Sequence, residues 1–137
     1  MSSAVQADII RGAPYFLVPD PAAAGDYYER VLGFHCEYAA GDPPEFAIYS
    51  RSGSPVMFRR APDPSRISPN EAQGGTWDVF YWVPALEPVY EELKRRGATF
   101  VYHPVVQPYG MREFAVRDPN GYVLGFGEEL PREATSA

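Results

Sequence analysis

The stretch LVPDPAAAGDYYERVLGF (residues 17–34) decides the fold. Apolar residues at 13–18 predict a first strand that runs into it. Asp20 and Pro21 are typical of a helix start, because Asp caps free N–H groups and Pro needs no donor at the first helical position. Gly33 indicates the helix end. The stretch therefore predicts a strand followed by a short helix.

The same order of elements, strand–helix–strand–strand–strand, occurs a second time downstream. Residues 61–75 are rich in Pro, Ser, Asn and Gly and are interpreted as a linker. We expect one α+β domain over 1–137, with module one at about 10–60, module two at 76–128 and a polar tail at 129–137. The predicted strands are Ala13–Val18, Phe34–Tyr38, Glu45–Ser50, Pro55–Arg59, Trp77–Val83, Thr99–Tyr102, Arg112–Arg117 and Tyr122–Phe126, and the predicted helices are Ala22–Leu32 and Ala85–Arg96.

Composition and charge narrow the classes of partner. The chain has 137 residues, a net charge of −6 and 15% aromatic residues. An acidic chain repels phosphate backbones, so we expect no nucleic-acid partner. The aromatic content favours a cavity or an interface lined by rings, although large cores also use rings.

The cysteine content and the hydropathy pattern indicate the cellular compartment of the protein. Cys36 is the only cysteine, which excludes an internal disulfide and a thiolate zinc cluster. Its spacing from Phe34 predicts a buried, unreactive thiol. The start of the chain lacks the apolar run of a signal peptide, and no stretch is long and apolar enough for a membrane span. We therefore expect a cytoplasmic protein with no membrane partner.

Three stretches together resemble one superfamily. They are residues 17–34, VYEELKRRGA (89–98) and YGMREFAVRDPNGYVLGFGEE (109–129). In order, they resemble the vicinal oxygen chelate superfamily of glyoxalase I, bleomycin-resistance proteins and extradiol dioxygenases, and in particular its bleomycin-resistance-like branch. The resemblance implies two βαβββ modules that form a curved, mixed eight-stranded sheet with helices outside and ligand inside. It also implies a homodimer.

The resemblance locates the positions that hold a divalent ion in the family's metalloenzymes. They fall at Ala13, Met57, Asp78 and Gly125. Only one of the four offers an oxygen ligand, whereas Zn²⁺, Ni²⁺ or Fe²⁺ needs about three or more protein donors. We therefore predict no metal and no cofactor. The two histidines, His35 and His103, fall outside these positions and are predicted to lie at the surface.

Strand alternation and the resemblance suggest which side chains face the cavity. Asp78 lies in an aromatic strand; a contact with a ligand cation, a role as general base, and structural pairing with Arg112 or Arg117 all stay open. The phase of Tyr49 is not fixed by the sequence. The candidate ligand-binding residues are Tyr15, Tyr49, Met57, Asp78, Phe80, Trp82, Glu113 and Gly125.

These observations favour a protein that binds and sequesters a small planar ligand, cationic or neutral, in a metal-free aromatic cavity. Two alternatives involve catalysis, so whether the protein is an enzyme stays open. One is a metal-dependent lyase, isomerase or dioxygenase of the same superfamily. The other is a metal-free enzyme with Asp78 or Glu113 as base. The chain offers no Ser/His/Asp order and no phosphate-binding glycine loop.

Overall fold

A computed structural model describes residues 5–132 and has the predicted α+β architecture of two βαβββ modules. Residues 133–137, the end of the predicted tail, and residues 1–4 lie outside the described residues. The linker contains short 3₁₀ helices at Pro64–Arg66 and Asn70–Gln73. Module 1 comprises β1 (Tyr15–Val18), α1 (Pro21–Arg30), β2 (His35–Gly41), β3 (Pro44–Arg51) and β4 (Ser54–Arg60), and module 2 comprises β5 (Val79–Trp82), α2 (Leu86–Arg95), β6 (Thr99–Val106), β7 (Met111–Arg117) and β8 (Val123–Glu129).

Each module forms a four-stranded mixed sheet, and the two sheets have the same topology. The orders are β1-β4-β3-β2 and β5-β8-β7-β6, with β1–β4 and β5–β8 parallel and the other pairs antiparallel. The registers of the two parallel pairs also correspond. Tyr15 opposite Met57 and Leu17 opposite Arg59 in module 1 match Phe80 opposite Gly125 and Trp82 opposite Gly127 in module 2.

The helices begin where the chain supplies an acceptor for their free N–H groups. At α1, Asp20 Oδ1 accepts from the Ala22 amide at 3.0 Å, and Gly33 adopts a positive φ of 76° just after the helix. At α2, the Leu86 amide donates instead to Glu128 Oε1 at 2.7 Å. This second cap comes from β8, so the last strand also fixes the start of its own module's helix.

The β7–β8 hairpin joins module 2 to module 1. Asp118 is buried, and its Oδ1 accepts from the backbone amides of Asn120 and Tyr122, which shapes the turn. Its Oδ2 accepts from the Tyr28 hydroxyl of α1 at 2.7 Å. Burial raises the pKa of both Asp118 and Tyr28. Tyr122 also stacks on Phe16 of β1, with ring centroids 4.1 Å apart.

One core fills the space between the helix-covered faces of the two sheets. Its buried members come from both modules and include Phe16, Val18, Tyr28, Phe34, Phe58, Leu86, Leu93, Phe114, Val116, Leu124 and Phe126. The opposite face of each sheet lies outside this core. We call these surfaces the module 1 open face and the module 2 open face.

The prediction that Cys36 is buried is wrong, because the residue is exposed. It lies in β2, an edge strand in which every residue except Ala40 is exposed. Cys36 pairs with Tyr49 of β3 and so lies on the helix-covered side of the sheet, as alternation from Phe34 predicts, but at the sheet edge this side is open to solvent. His35 and His103 are exposed, as predicted.

Candidate functional site

The module 2 open face combines bare backbone with aromatic rings. Gly125 and Gly127 are two residues apart in β8, so both are on this face. Phe80 of β5 lies opposite Gly125 in the parallel pair. A Cβ on Gly125 would lie only 2.6 Å from Trp77 Cδ1 and 2.8 Å from Phe80 Cδ2. A Cβ on Gly127 would lie 2.7 Å from Met111 Cε. The glycines therefore let the neighbouring side chains lie directly on the sheet.

The rings on this face line a shallow cavity of about 230 Å³, which we call the hollow. Its walls are Trp77, Phe80, Trp82, Tyr109 and Met111. Phe80 packs edge-on against Trp77, at 4.6 Å between centroids, and against Trp82, at 5.1 Å. Trp82 is 69% exposed, so a large ring surface is available to a ligand.

A fully buried carboxylate lies beneath these rings. Glu113 Oε1 accepts from the Tyr109 hydroxyl at 2.6 Å, and Oε2 accepts from the Tyr102 hydroxyl at 2.5 Å. Tyr102 in turn accepts from Trp77 Nε1 at 2.9 Å. Because the indole N–H donates to the Tyr102 oxygen, the Tyr102 hydroxyl is left to donate its own proton to Glu113.

The same network holds the two phenols in their protonated form. Desolvation and the hydrogen bond to Glu113 raise the pKa of Tyr109 to about 12. The same two causes raise the pKa of Tyr102. Both hydroxyls therefore remain donors to Glu113 throughout the physiological range.

Four of the predicted ligand-binding residues meet on this face: Phe80, Trp82, Glu113 and Gly125. Tyr15 and Met57 lie instead on the module 1 open face, where they oppose each other in the β1–β4 pair. Arg59 occupies the same face, donates from Nε to the Tyr15 hydroxyl at 3.1 Å, and places its guanidinium 5.2 Å from the Phe46 ring centre. The structure thus divides these six predicted residues between two surfaces.

Tyr49 belongs to neither open face. Its ring packs directly on Gly25 of α1, and its centroid lies 6.0 Å from that of Phe58 in the core. The sequence had left its phase unresolved, and the structure places it on the helix-covered side of β3, away from the other predicted residues.

Asp78 is occupied by backbone partners. Its Oδ1 accepts from the Asn70 amide and its Oδ2 from the Val123 amide, both at 2.8 Å. The predicted alternative of pairing with Arg112 or Arg117 is wrong, since those arginines pair with glutamates, at 3.0 Å and 2.7 Å. Through these two hydrogen bonds, Asp78 connects the linker to the start of β8.

The donor set does not fit the divalent ion of the family's metalloenzymes. Met57 and Gly125 offer no hard donor, and both oxygens of Asp78 are already engaged. Within residues 5–132, no group of three or more His, Cys, Asp or Glu side chains is placed to hold a metal ion. That part of the chain also contains no helix long and apolar enough to cross a membrane.

Sequence reasoning missed Trp77, Tyr102, Tyr109, Met111 and Gly127. Met111 and Tyr109 precede Glu113 by two and four residues, and Gly127 follows Gly125 by two, so alternation alone was a usable signal. Trp77 lies before β5, and Tyr102 lies beside a register shift in the β6–β7 pair. Their placement follows from local irregularities that no period reveals.

A larger cavity of about 390 Å³ lies at the seam between the modules, lined by residues that include Phe34, Arg51, Tyr81 and Trp82. Arg51 is already paired with Glu92 at 2.7 Å. Among the described residues, the Tyr81 hydroxyl is the buried side-chain polar atom without a hydrogen-bond partner. Trp82 is the only predicted site residue that borders this cavity, so the hollow is the better candidate site.

Comparison with known proteins agrees with this architecture. The sequence pattern of the Glyoxalase/Bleomycin resistance protein/Dioxygenase superfamily matches residues 12–126. The chain belongs to this superfamily. No curated protein matches it.

Several proteins of known structure have the same fold. TioX from Micromonospora sp. ML1 is 27% identical, with a TM-score of 0.70 over 88% of this chain and 98% of that one. A superfamily member from Sphaerobacter thermophilus is 24% identical, with a TM-score of 0.67 over 89% and 98%. The bleomycin resistance determinant encoded on the transposon Tn5 is 21% identical, with a TM-score of 0.69 over 88% and 98%.

Proposed function

We propose that this superfamily member is a cytoplasmic protein that binds and sequesters a small planar molecule, without a metal ion, against the aromatic rings of the module 2 open face. The observation that carries the proposal is the glycine-backed hollow walled by Trp77, Phe80 and Trp82. Stacking on such rings contributes about 0.5–1.5 kcal/mol per aromatic pair beyond burial. The exposed thiol of Cys36 suits a reducing compartment.

Sequestration rather than catalysis suits the chemistry of the site. Glu113 is buried and already accepts two hydroxyl hydrogen bonds, so it is poorly placed to remove a proton from a substrate. One structural neighbour is a bleomycin resistance determinant, and a sequestering role accords with that likeness of fold.

We further propose that a second copy of the chain completes the site. The hollow, at about 230 Å³, is smaller than the roughly 300–1,000 Å³ typical of ligand cavities. Both open faces also expose large apolar side chains, namely Tyr15, Leu17, Tyr38, Trp82 and Tyr109. The module 1 open face of one copy is the natural cover for the module 2 open face of another. Sedimentation of a monomer alone at micromolar concentration would contradict this arrangement.

Calorimetric titration with quinoline, a planar heteroaromatic that is neutral at pH 8, tests the binding site. We expect saturable binding that Trp82→Ala weakens about tenfold, because the exposed ring surface is lost. Val106→Ala is the matched control, since Val106 pairs with Arg112 rather than Glu113 and so lies on the other side of the sheet. Absence of binding by quinoline, or equal effects of the two substitutions, would count against the proposal.

Elemental analysis tests the metal-dependent alternative. We expect no stoichiometric Zn, Ni, Fe or Mn in the purified protein. A full complement of metal, removed by EDTA with loss of thermal stability, would favour a lyase, isomerase or dioxygenase instead.

A further inference from the structure

The charge of Glu113 is not balanced by any cation in the described chain. The residue is fully buried, and no ion pair between residues 5 and 132 includes it. Arg112, its neighbour in sequence, pairs with Glu87 at 3.0 Å. Burying an unpaired carboxylate is costly, and two hydroxyl donors offset only part of that cost.

The hollow lies directly over this carboxylate. Met111, two residues before Glu113 on β7, shares its face and lines the hollow. Tyr109 lines the hollow with its ring and bonds Glu113 with its hydroxyl. Trp77 lines it as well and reaches Glu113 through Tyr102. The negative charge is therefore separated from the hollow by the rings that form its walls.

Aromatic walls above a buried negative charge suit one class of ligand group. Ring faces carry negative potential and attract weakly hydrated cations, such as quaternary ammonium and N-alkylated heteroaromatic groups. A carboxylate behind the rings adds to that attraction without offering a hydrogen bond, which a quaternary nitrogen does not need.

From this juxtaposition we propose that the hollow selects ligands with a quaternary or N-alkylated cationic group, which sits against Trp77, Phe80 and Trp82 and is balanced by Glu113. The inference rests on the proposed function and assigns it a ligand class. It also moves the cation contact from Asp78, where the sequence had placed one option, to Glu113.

The test compares N-methylquinolinium with quinoline at pH 8, two planar ligands that differ by a methyl group and a positive charge. We expect the intact protein to bind the cation about tenfold more tightly than quinoline. Glu113→Gln should reduce this ratio to within about twofold, and the readout is the ratio of the two affinities within each variant. Asp26→Asn removes one negative charge at an exposed position paired with Arg30 and should keep the tenfold ratio.

The outcomes distinguish failure of this inference from failure of the proposed function. Quinoline binding with no preference for the cation overturns this inference and leaves the proposed function standing. Failure of both ligands to bind overturns both. An equal loss of preference in Asp26→Asn and Glu113→Gln would assign the effect to net charge and overturn the inference. Should Glu113→Gln fail to fold, Tyr109→Phe replaces it: the buried carboxylate then loses one of the two donors that stabilise its charge, so the preference should fall, and an unchanged tenfold ratio overturns the inference.

Discussion

The two open faces have the same strand topology and register but opposite contents. Where module 2 has Gly125 and Gly127 on its last strand, module 1 has Met57 and Arg59. The buried Glu113 of module 2 corresponds to Phe46 in module 1. Glu113 is the cross-strand partner of Gly127, and Phe46 is the cross-strand partner of Arg59. Side chains therefore fill the middle of one face and leave the other open.

This difference gives the two modules surfaces of different shape. Glycines remove the atoms that would fill the centre of the module 2 open face, so Trp77 and Phe80 pack closely against the backbone, and Trp82 is largely exposed. In module 1, the Arg59 guanidinium lies over the Phe46 ring and donates a hydrogen bond to the Tyr15 hydroxyl. These side chains fill the space that is empty in module 2. In the proposed function, the first face holds the ligand and the second face, from another copy, covers it.

The largest effect should come from giving module 2 the side chains of module 1. Gly125→Met with Gly127→Arg is expected to abolish quinoline binding in calorimetry, because the hollow is filled.

The single change Gly125→Ala should lower the free energy of unfolding by about 1–3 kcal/mol, since its Cβ would lie 2.6 Å from Trp77. Met57→Ala should cost at most about 1 kcal/mol, because Met57 is only half-buried. Equal costs for the two single changes would break the comparison.

Glu113 should matter next, since module 1 has an apolar ring at the equivalent position. Glu113→Ala leaves the Tyr102 and Tyr109 hydroxyls without their acceptor and opens a cavity, which should lower the free energy of unfolding by about 2 kcal/mol. Glu113→Gln should cost less, because its amide oxygen still accepts one hydrogen bond. Urea denaturation measures both, and an unchanged midpoint for Glu113→Ala would contradict the network.

Asp78 sharpens the comparison because its counterpart in module 1 is Ala13. Asp78→Ala removes the acceptor for two backbone amides and should lower the free energy of unfolding by about 1–2 kcal/mol. Its effect on quinoline affinity should stay well below that of Trp82→Ala. A tenfold loss of affinity with no loss of stability would show that Asp78 contacts the ligand.

The smallest effect is confined to alkaline pH. The pKa of Tyr109 is raised from 10.0 to about 12, so the folded protein keeps this proton over a pH window in which the unfolded chain loses it. The contribution to stability is therefore present below pH 10 and is lost as pH rises through about 12. Tyrosinate absorbance, with Tyr109→Phe as reference, should show this late titration. A Tyr109 that titrates with the unfolded chain would contradict its bond to Glu113.

Regular strands explain why part of the site could be predicted from the sequence. Phe80, Trp82, Glu113 and Gly125 lie within strands, and alternation alone assigns them to one side of the sheet. Trp77 precedes its strand, and Tyr102 lies beside a register shift, so no period fixes where their rings point. Tyr49 and Cys36 show the same limit, since the sequence pattern reveals neither the contact of Tyr49 with α1 nor the position of Cys36 in an edge strand.

The sequence by itself determined the order of the elements, the duplicated module and the scarcity of metal donors, because caps, turn residues and side-chain chemistry are local properties. Only the tertiary structure decided which surface is hollow. That outcome depends on Gly125 meeting Trp77, on Gly127 meeting Phe80 and Met111, and on the burial of Glu113, which no ion pair within residues 5–132 includes. All three arise from contacts between segments far apart in the chain.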